Sequence, residues 1–324
     1  MENSPIKVEK ILNEEGLEIM SVKWSPDDSM LALGCSDGTV KIYADGGFLR
    51  SLHCQRSSEI FPITAVKWKP AAGKTRNVIM VTTSEGSYFQ FHASSGRIMH
   101  SDNIQDNQIF ACDYKPDSSA FALGFKDNSV QIYDENSKHL ISTLGPSHGY
   151  SPGHNSRVLS IKWVDANLLL SAGWDNQVIL WDLRTGLPGR EILGPHITGD
   201  ALDVKDDLVL TGSYSSRDQV QLWNLGDGRN IYSGSLEAQG KQCFLYTAQF
   251  SKVNKSFAVG GSGSDEGYFF NYDPVTPLAV MNNLTKPVFS IDFSNNSSRA
   301  AVGCGDGSVI ICSVNQGDGL RYLK

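Results

Sequence analysis

The sequence predicts an all-β protein assembled from seven copies of one antiparallel unit. Three observations carry that reading: a self-similarity recurring about every 45 residues, a period-two apolar alternation within each copy, and an acidic two-residue turn at a fixed place in the copy. The copies start at Ile19 ("IMSVKWSPDDSMLALGCSDGTVKIY"), Ile63, Ile109, Val158, Asp200, Leu245 and Val288. Each reads as an alternating strand, a polar turn, a second strand, the acidic turn and a third strand.

The acidic turn is the sharpest element. Asp37-Gly38, Glu85-Gly86, Asp127-Asn128, Asp175-Asn176, Glu266-Gly267 and Asp306-Gly307 occupy it. Gly and Asn tolerate the positive φ that a two-residue hairpin requires. Six residues beyond each acid stand Tyr43, Phe91, Tyr133, Trp181, Tyr272 and Cys312. The fifth copy departs: Asp218 precedes Trp223 by five residues, and Arg217 takes the expected place.

Period, strand pattern and turn together resemble the WD40 repeat family over nearly the whole chain. The glycine-histidine and tryptophan-aspartate signature is intact in the fourth copy, as Gly153-His154 and Trp181-Asp182. The fifth copy has Pro195-His196 and Trp223-Asn224, and the others lack the His. The resemblance implies a seven-bladed β-propeller of four-stranded antiparallel blades around a central channel. It also implies that His154, Ser171, Asp175 and Trp181 form a hydrogen-bonded chain inside the fourth blade. A buried imidazole and indole N–H need partners, and a hydroxyl and a carboxylate supply them.

The last copy lacks an outer strand, and the first is preceded by the extended "PIKVEKILNEE". Residues 5–12 are therefore expected to complete the last blade and close the ring, which removes an exposed edge. Residues 1–324 are read as one propeller domain.

Composition narrows the function. Apolar residues at 40% and charged residues at 19% suit a globular core, and a net charge of −7 argues against a nucleic-acid footprint or an anionic membrane surface. Six cysteines without a CxxC pair argue against a zinc knuckle or a thioredoxin-like motif. No apolar run suits a signal or a membrane span, so membrane insertion is not expected. The expected compartment is the cytoplasm, with the nucleus also open.

Candidate chemistry is thin. "AAGKTRN" ends like a phosphate loop at Gly73-Lys74-Thr75, but no helix follows to supply the cradle. His148, His154 and Arg157 lie close in sequence, yet a metal would need further ligands, with only His139 and His196 nearby. Hydrolysis by a Ser-His-Asp set has no nucleophile elbow to support it. No catalytic residue, cofactor, metal or small-molecule substrate is expected.

A rigid disc with variable loops is a binding surface, and the resemblance implies a scaffold for proteins or peptides. The alternatives are a reader of a modified peptide in the channel mouth, which would show an aromatic cage or an Arg pair, and, more remotely, a propeller enzyme. Aligning the copies places Glu18, Pro62, Gln108, Arg157, Thr198, Phe244 and Pro287 just before the innermost strands. Ser36, Lys126, Trp174 and Tyr214 fall just before the turn acids or at the matching place. Trp174, Tyr214 and Arg157 are read as one patch on the fourth and fifth blades, extended by Lys126, with Glu18, Gln108 and Phe244 around the same face. Exposed Trp, Tyr and Arg together are the usual composition of an interface hot spot.

Overall fold

Seven antiparallel sheets surround a central channel in the computed structural model, which describes residues 5–56, 58–71, 76–146, 152–238, 240–315 and 321–323. Strands are named a to d from the channel outward. Blade 1 comprises Ile19–Trp24, Met30–Cys35, Thr39–Ala44 and Gly47–His53. Blades 2 to 6 repeat the order from Ile63, Ile109, Val158, Leu202 and Phe244. Blade 7 takes strands a to c from Val288–Phe293, Arg299–Cys304 and Ser308–Val314. Its fourth strand is Ile6–Asn13, running antiparallel from Ile6 opposite Val314 to Asn13 opposite Ser308. The N-terminal strand thus closes the ring, as the missing outer strand required.

Blade 6 departs from the four-strand plan. Arg321–Leu323 adds a fifth strand, parallel to Val275–Met281, with Ala279 opposite Arg321. The sixth turn also differs from the Glu266-Gly267 hairpin expected there. Gly267 already pairs with Gly260, and the positive φ falls at Gly263 and Asp265, so the turn is longer. In blades 1, 2 and 7 the left-handed glycine after the acid, Gly38, Gly86 or Gly307, closes the turn by donating its N–H to the carbonyl three residues back. Asn128 and Asn176 are left-handed at the matching place, and blade 5 has a longer turn between Ser213 and Gln219 with Asp218 left-handed.

The core lies between blades. Each apolar cluster joins neighbours, such as Ile42 and Leu52 of blade 1 with Ile63 and Val66 of blade 2. A recurring glycine in strand b lets the sheets approach. A Cβ on Gly34, Gly124, Gly260 or Gly303 would fall within 3 Å of a side-chain carbon of Ile63, Val158, Val288 or Ile19, the first residue of the next blade's inner strand. The "LG" or "VG" in those copies is thus an inter-blade packing site.

Candidate interaction face

One hydrogen bond recurs at the top of the blades and places the loops. In six blades the residue before the turn donates its backbone N–H to the carbonyl of the residue that leads into strand a. The pairs are Ser36 to Glu18 (3.0 Å), Ser84 to Pro62 (3.1 Å), Lys126 to Gln108 (3.0 Å), Trp174 to Arg157 (3.3 Å) and Gly305 to Pro287 (2.9 Å). In blade 5 the pair is Tyr214 to His196 (2.8 Å), so His196, not Thr198, holds the position assigned by alignment. The turns and the loops entering strand a therefore share one face.

The acids cap their own turns. Asp37 accepts the N–H and hydroxyl of Thr39, and Asp127 and Asp306 do the same for Ser129 and Ser308. Asp175 has Gln177 at that place and turns inward instead.

There it joins a buried chain. His154 Nδ1 lies 2.8 Å from Asp175 Oδ2, His154 Nε2 lies 2.7 Å from Ser171 Oγ, and Trp181 Nε1 donates to Ser171 Oγ at 2.7 Å. A neutral imidazole satisfies the whole set: indole to hydroxyl, hydroxyl to Nε2, and Nδ1–H to carboxylate. His154 and Ser171 are fully buried. This Ser-His-Asp geometry would serve a hydrolase if it were open, but the hydroxyl already receives the Trp181 N–H. Blade 5 keeps only part of the chain. Trp223 Nε1 donates to Thr211 Oγ1 at 3.0 Å, while the His196 ring turns away to Asn176 Oδ1 at 2.8 Å.

That turned ring links the patch. Arg157 lies between two aromatic faces, 4.1 Å from the Trp174 centroid and 5.7 Å from that of Phe110. Trp174 stacks on His196, whose carbonyl holds Tyr214, and Tyr214 packs on Phe244 and Tyr246 at 4.9 and 5.4 Å. Tyr246 meets Phe289 edge-on. The structure therefore brings together Arg157, Trp174, Tyr214 and Phe244 in an arc over blades 3 to 7. Trp174 remains 43% exposed and Tyr214 38%. Glu18 and Lys126 stand exposed on the same face, and Gln108 is half-buried there. Gly173 sets the height of Arg157, because a Cβ on it would fall 2.0 Å from the Arg157 carbonyl oxygen.

Phe110, Tyr246 and Phe289 escaped the sequence reading. A β-bulge falls near the start of strand a in six blades, at the second residue in Met20, Thr64, Phe110, Leu159 and Phe289 and at the third in Tyr246. The bulge re-aims that side chain into the channel mouth. These six residues, with Thr198, Arg157 and Trp174, line a cavity of about 410 Å³.

Below the cavity, charged side chains fill the channel. Lys23, Lys67, Asp113, Lys162, Asp203, Gln249 and Asp292 occupy one register of strand a around the ring. Asp200, carried inward by the irregular start of blade 5, accepts Lys23 at 2.8 Å and Lys162 at 3.1 Å. Burial alone would raise the Asp200 carboxyl, but the ammonium groups of Lys162, Lys23 and Lys67 outweigh it and hold the group well below the usual carboxylate range. The Lys-Trp pair repeated in "SVKW", "AVKW" and "SIKW" was the available signal for this ring.

All six cysteines are free and buried, and burial pushes thiols such as Cys112 and Cys304 up to about 12, which leaves little thiolate. Among the described residues no three His, Cys, Asp or Glu side chains gather to hold a metal, and no helix is long and apolar enough to cross a membrane. Gly73-Lys74-Thr75 and His148 lie outside the described residues.

Comparison with known proteins agrees with this architecture. The model of the WD domain, G-beta repeat, matches residues 145–182 and 276–313, and that of the anaphase-promoting complex subunit 4 WD40 domain matches residues 7–71. The chain thus carries matches to WD40 repeats within a seven-bladed propeller. It is 25% identical over 217 residues to a guanine nucleotide-binding protein subunit beta of Solanum tuberosum, covering 63% of this chain and 54% of that protein. It is 23% identical to a ribosome biogenesis protein WDR12 homolog of Drosophila virilis, covering 81% and 64%, and 26% identical to actin-interacting protein 1 of Drosophila melanogaster, covering 93% and 41%. The chain thus spans less than two thirds of the length of each of these relatives. A chain in a crystal structure of the mitotic checkpoint complex superposes with a TM-score of 0.80 at 17% identity, covering 96% of this chain and 92% of that one, which shows the shared fold.

Proposed function

We propose that this protein is a non-enzymatic interaction scaffold that docks partner proteins or peptides on its top face, as part of a larger assembly. The observation that carries the reading is the aromatic arc, in which Trp174 and Tyr214 stay exposed while hydrogen bonds, ring stacking and Arg157 hold them rigid. Rigid aromatic anchors lose little entropy on binding, and Trp, Tyr and Arg dominate interface energetics. Relatives named as a G-protein subunit, and a fold shared with a component of a checkpoint complex, support membership of assemblies. A reader of methylated cations is the weaker reading, because the space between Phe110 and Trp174 is filled by the protein's own Arg157.

The test is affinity capture from cell extract. Trp174→Ala combined with Arg157→Glu should remove most partner recovery, while the melting temperature moves little because Trp174 is exposed and Arg157, half-buried, lies at the channel mouth and outside the apolar clusters between blades. Undiminished recovery of every partner by the folded double variant would place the docking face elsewhere.

A further inference from the structure

The channel mouth combines an apolar socket with a cation that has no anionic counterpart among the described residues. Met20, Phe110, Leu159, Tyr246 and Phe289 wall the cavity of about 410 Å³, in the lower part of the roughly 300–1,000 Å³ range of ligand pockets. Arg157 stands at its lip, its guanidinium carbon 4.1 Å from the Trp174 ring centroid and 5.7 Å from that of Phe110. Among the described residues its guanidinium donates no hydrogen bond and meets no carboxylate. The surrounding acids are otherwise engaged: Asp127 caps Ser129, Asp175 lies inside the buried chain of blade 4, and Asp200 is bound by lysines. Lys126, tied by its N–H to Gln108 two residues before Phe110, adds an exposed cation without an ion pair among the described residues. In a chain of net charge −7, this sets a guanidinium without an ion pair among the described residues beside an apolar hole.

We propose that the mouth binds a segment of a partner protein in which an acidic side chain stands next to a large apolar one. The carboxylate sits on the Arg157 fork and the apolar group enters the cavity. A guanidinium stacked between two rings is already oriented, so its bidentate pairing with a carboxylate sacrifices little side-chain freedom. The inference rests on the top-face reading above and names the partner's chemistry within it.

The test is to pan phage-displayed random dodecapeptides on the intact protein and to resynthesise the winners. Enriched sequences should carry Asp or Glu beside Leu, Met, Phe or Trp. Their affinity should fall roughly tenfold or more when the acid becomes its amide, and by a similar factor for Arg157→Gln. The Arg157→Gln protein should no longer distinguish acid from amide. Arg157→Lys, which keeps the charge but not the fork, should lose affinity severalfold, and it serves if the Gln variant melts abnormally. Winners that need Trp174 but carry no acid would overturn the proposal and leave top-face docking standing. So would winners that bind more than tenfold tighter when rebuilt with phosphoserine, which would reassign Arg157 to phosphate. Winners indifferent to Trp174→Ala, or no enrichment, would overturn both.

Discussion

Trp181→Ala should lower the stability of the protein by about 3–5 kcal/mol, the cost of emptying a buried aromatic site. Trp181 is among the largest fully buried side chains and packs in the core shared by blades 3 and 4. The substitution also removes the donor to Ser171 Oγ. Asp175→Ala acts differently. It strands the buried His154 Nδ1, at about 1–3 kcal/mol, and returns the exposed Asn155 N–H to water, both of which bond to Asp175 Oδ2. Trp223→Ala should cost less than Trp181→Ala, because blade 5 retains only the link to Thr211. Denaturant unfolding of the three variants checks the order. Wild-type stability for Trp181→Ala would show that the chain of hydrogen bonds does not hold the blade.

Deleting residues 1–13 should have an effect of comparable size and a different character. The deletion bares the whole Ser308–Val314 edge, which Ile6–Asn13 now covers by antiparallel pairing. It also removes Ile6 from the core between blades 6 and 7, and Leu12 from that between blades 7 and 1. An unpaired strand beside a core that has lost an apolar side chain on each side invites pairing with another chain. The truncated protein should therefore aggregate, and its soluble fraction should melt well below the full chain, by several kcal/mol of lost stability. Size-exclusion chromatography and thermal melts report both. A truncated protein that stays monomeric and melts normally would mean that the ring does not depend on this strand.

The repeats made the fold readable because each blade obeys the same local chemistry. An alternating strand, a positive-φ turn and a serine or threonine two residues past the acid recur even where the signature tryptophan is gone. Blade 6 resisted because its turn is longer and its positive φ sits at Gly263 and Asp265 instead of at the Glu266-Gly267 pair. Blade 5 resisted because its inner strand is cut to Leu202–Lys205, and the chain before it carries Asp200 into the channel. The site was half legible. Trp174 and Arg157 could be found by alignment, since the turn and the lead-in residue are fixed relative to the strands. Phe110, Tyr246 and Phe289 could not, because a bulge breaks the inside-outside alternation at the residue that faces the mouth. Arg157 as a stacked cation also depends on Phe110, which lies on the previous blade and 47 positions away in the chain.

The central claim is that partners dock on the aromatic arc at the channel mouth. Amide hydrogen exchange of the protein, alone and with a partner recovered from extract, tests it most directly. Exchange should slow around Phe110, Arg157, Trp174, His196, Tyr214 and Phe244 on complex formation, and stay unchanged in outer strands such as Gly47–His53 and Arg97–Asn103. Slowing confined to those outer strands, with the mouth unaffected, would contradict the account.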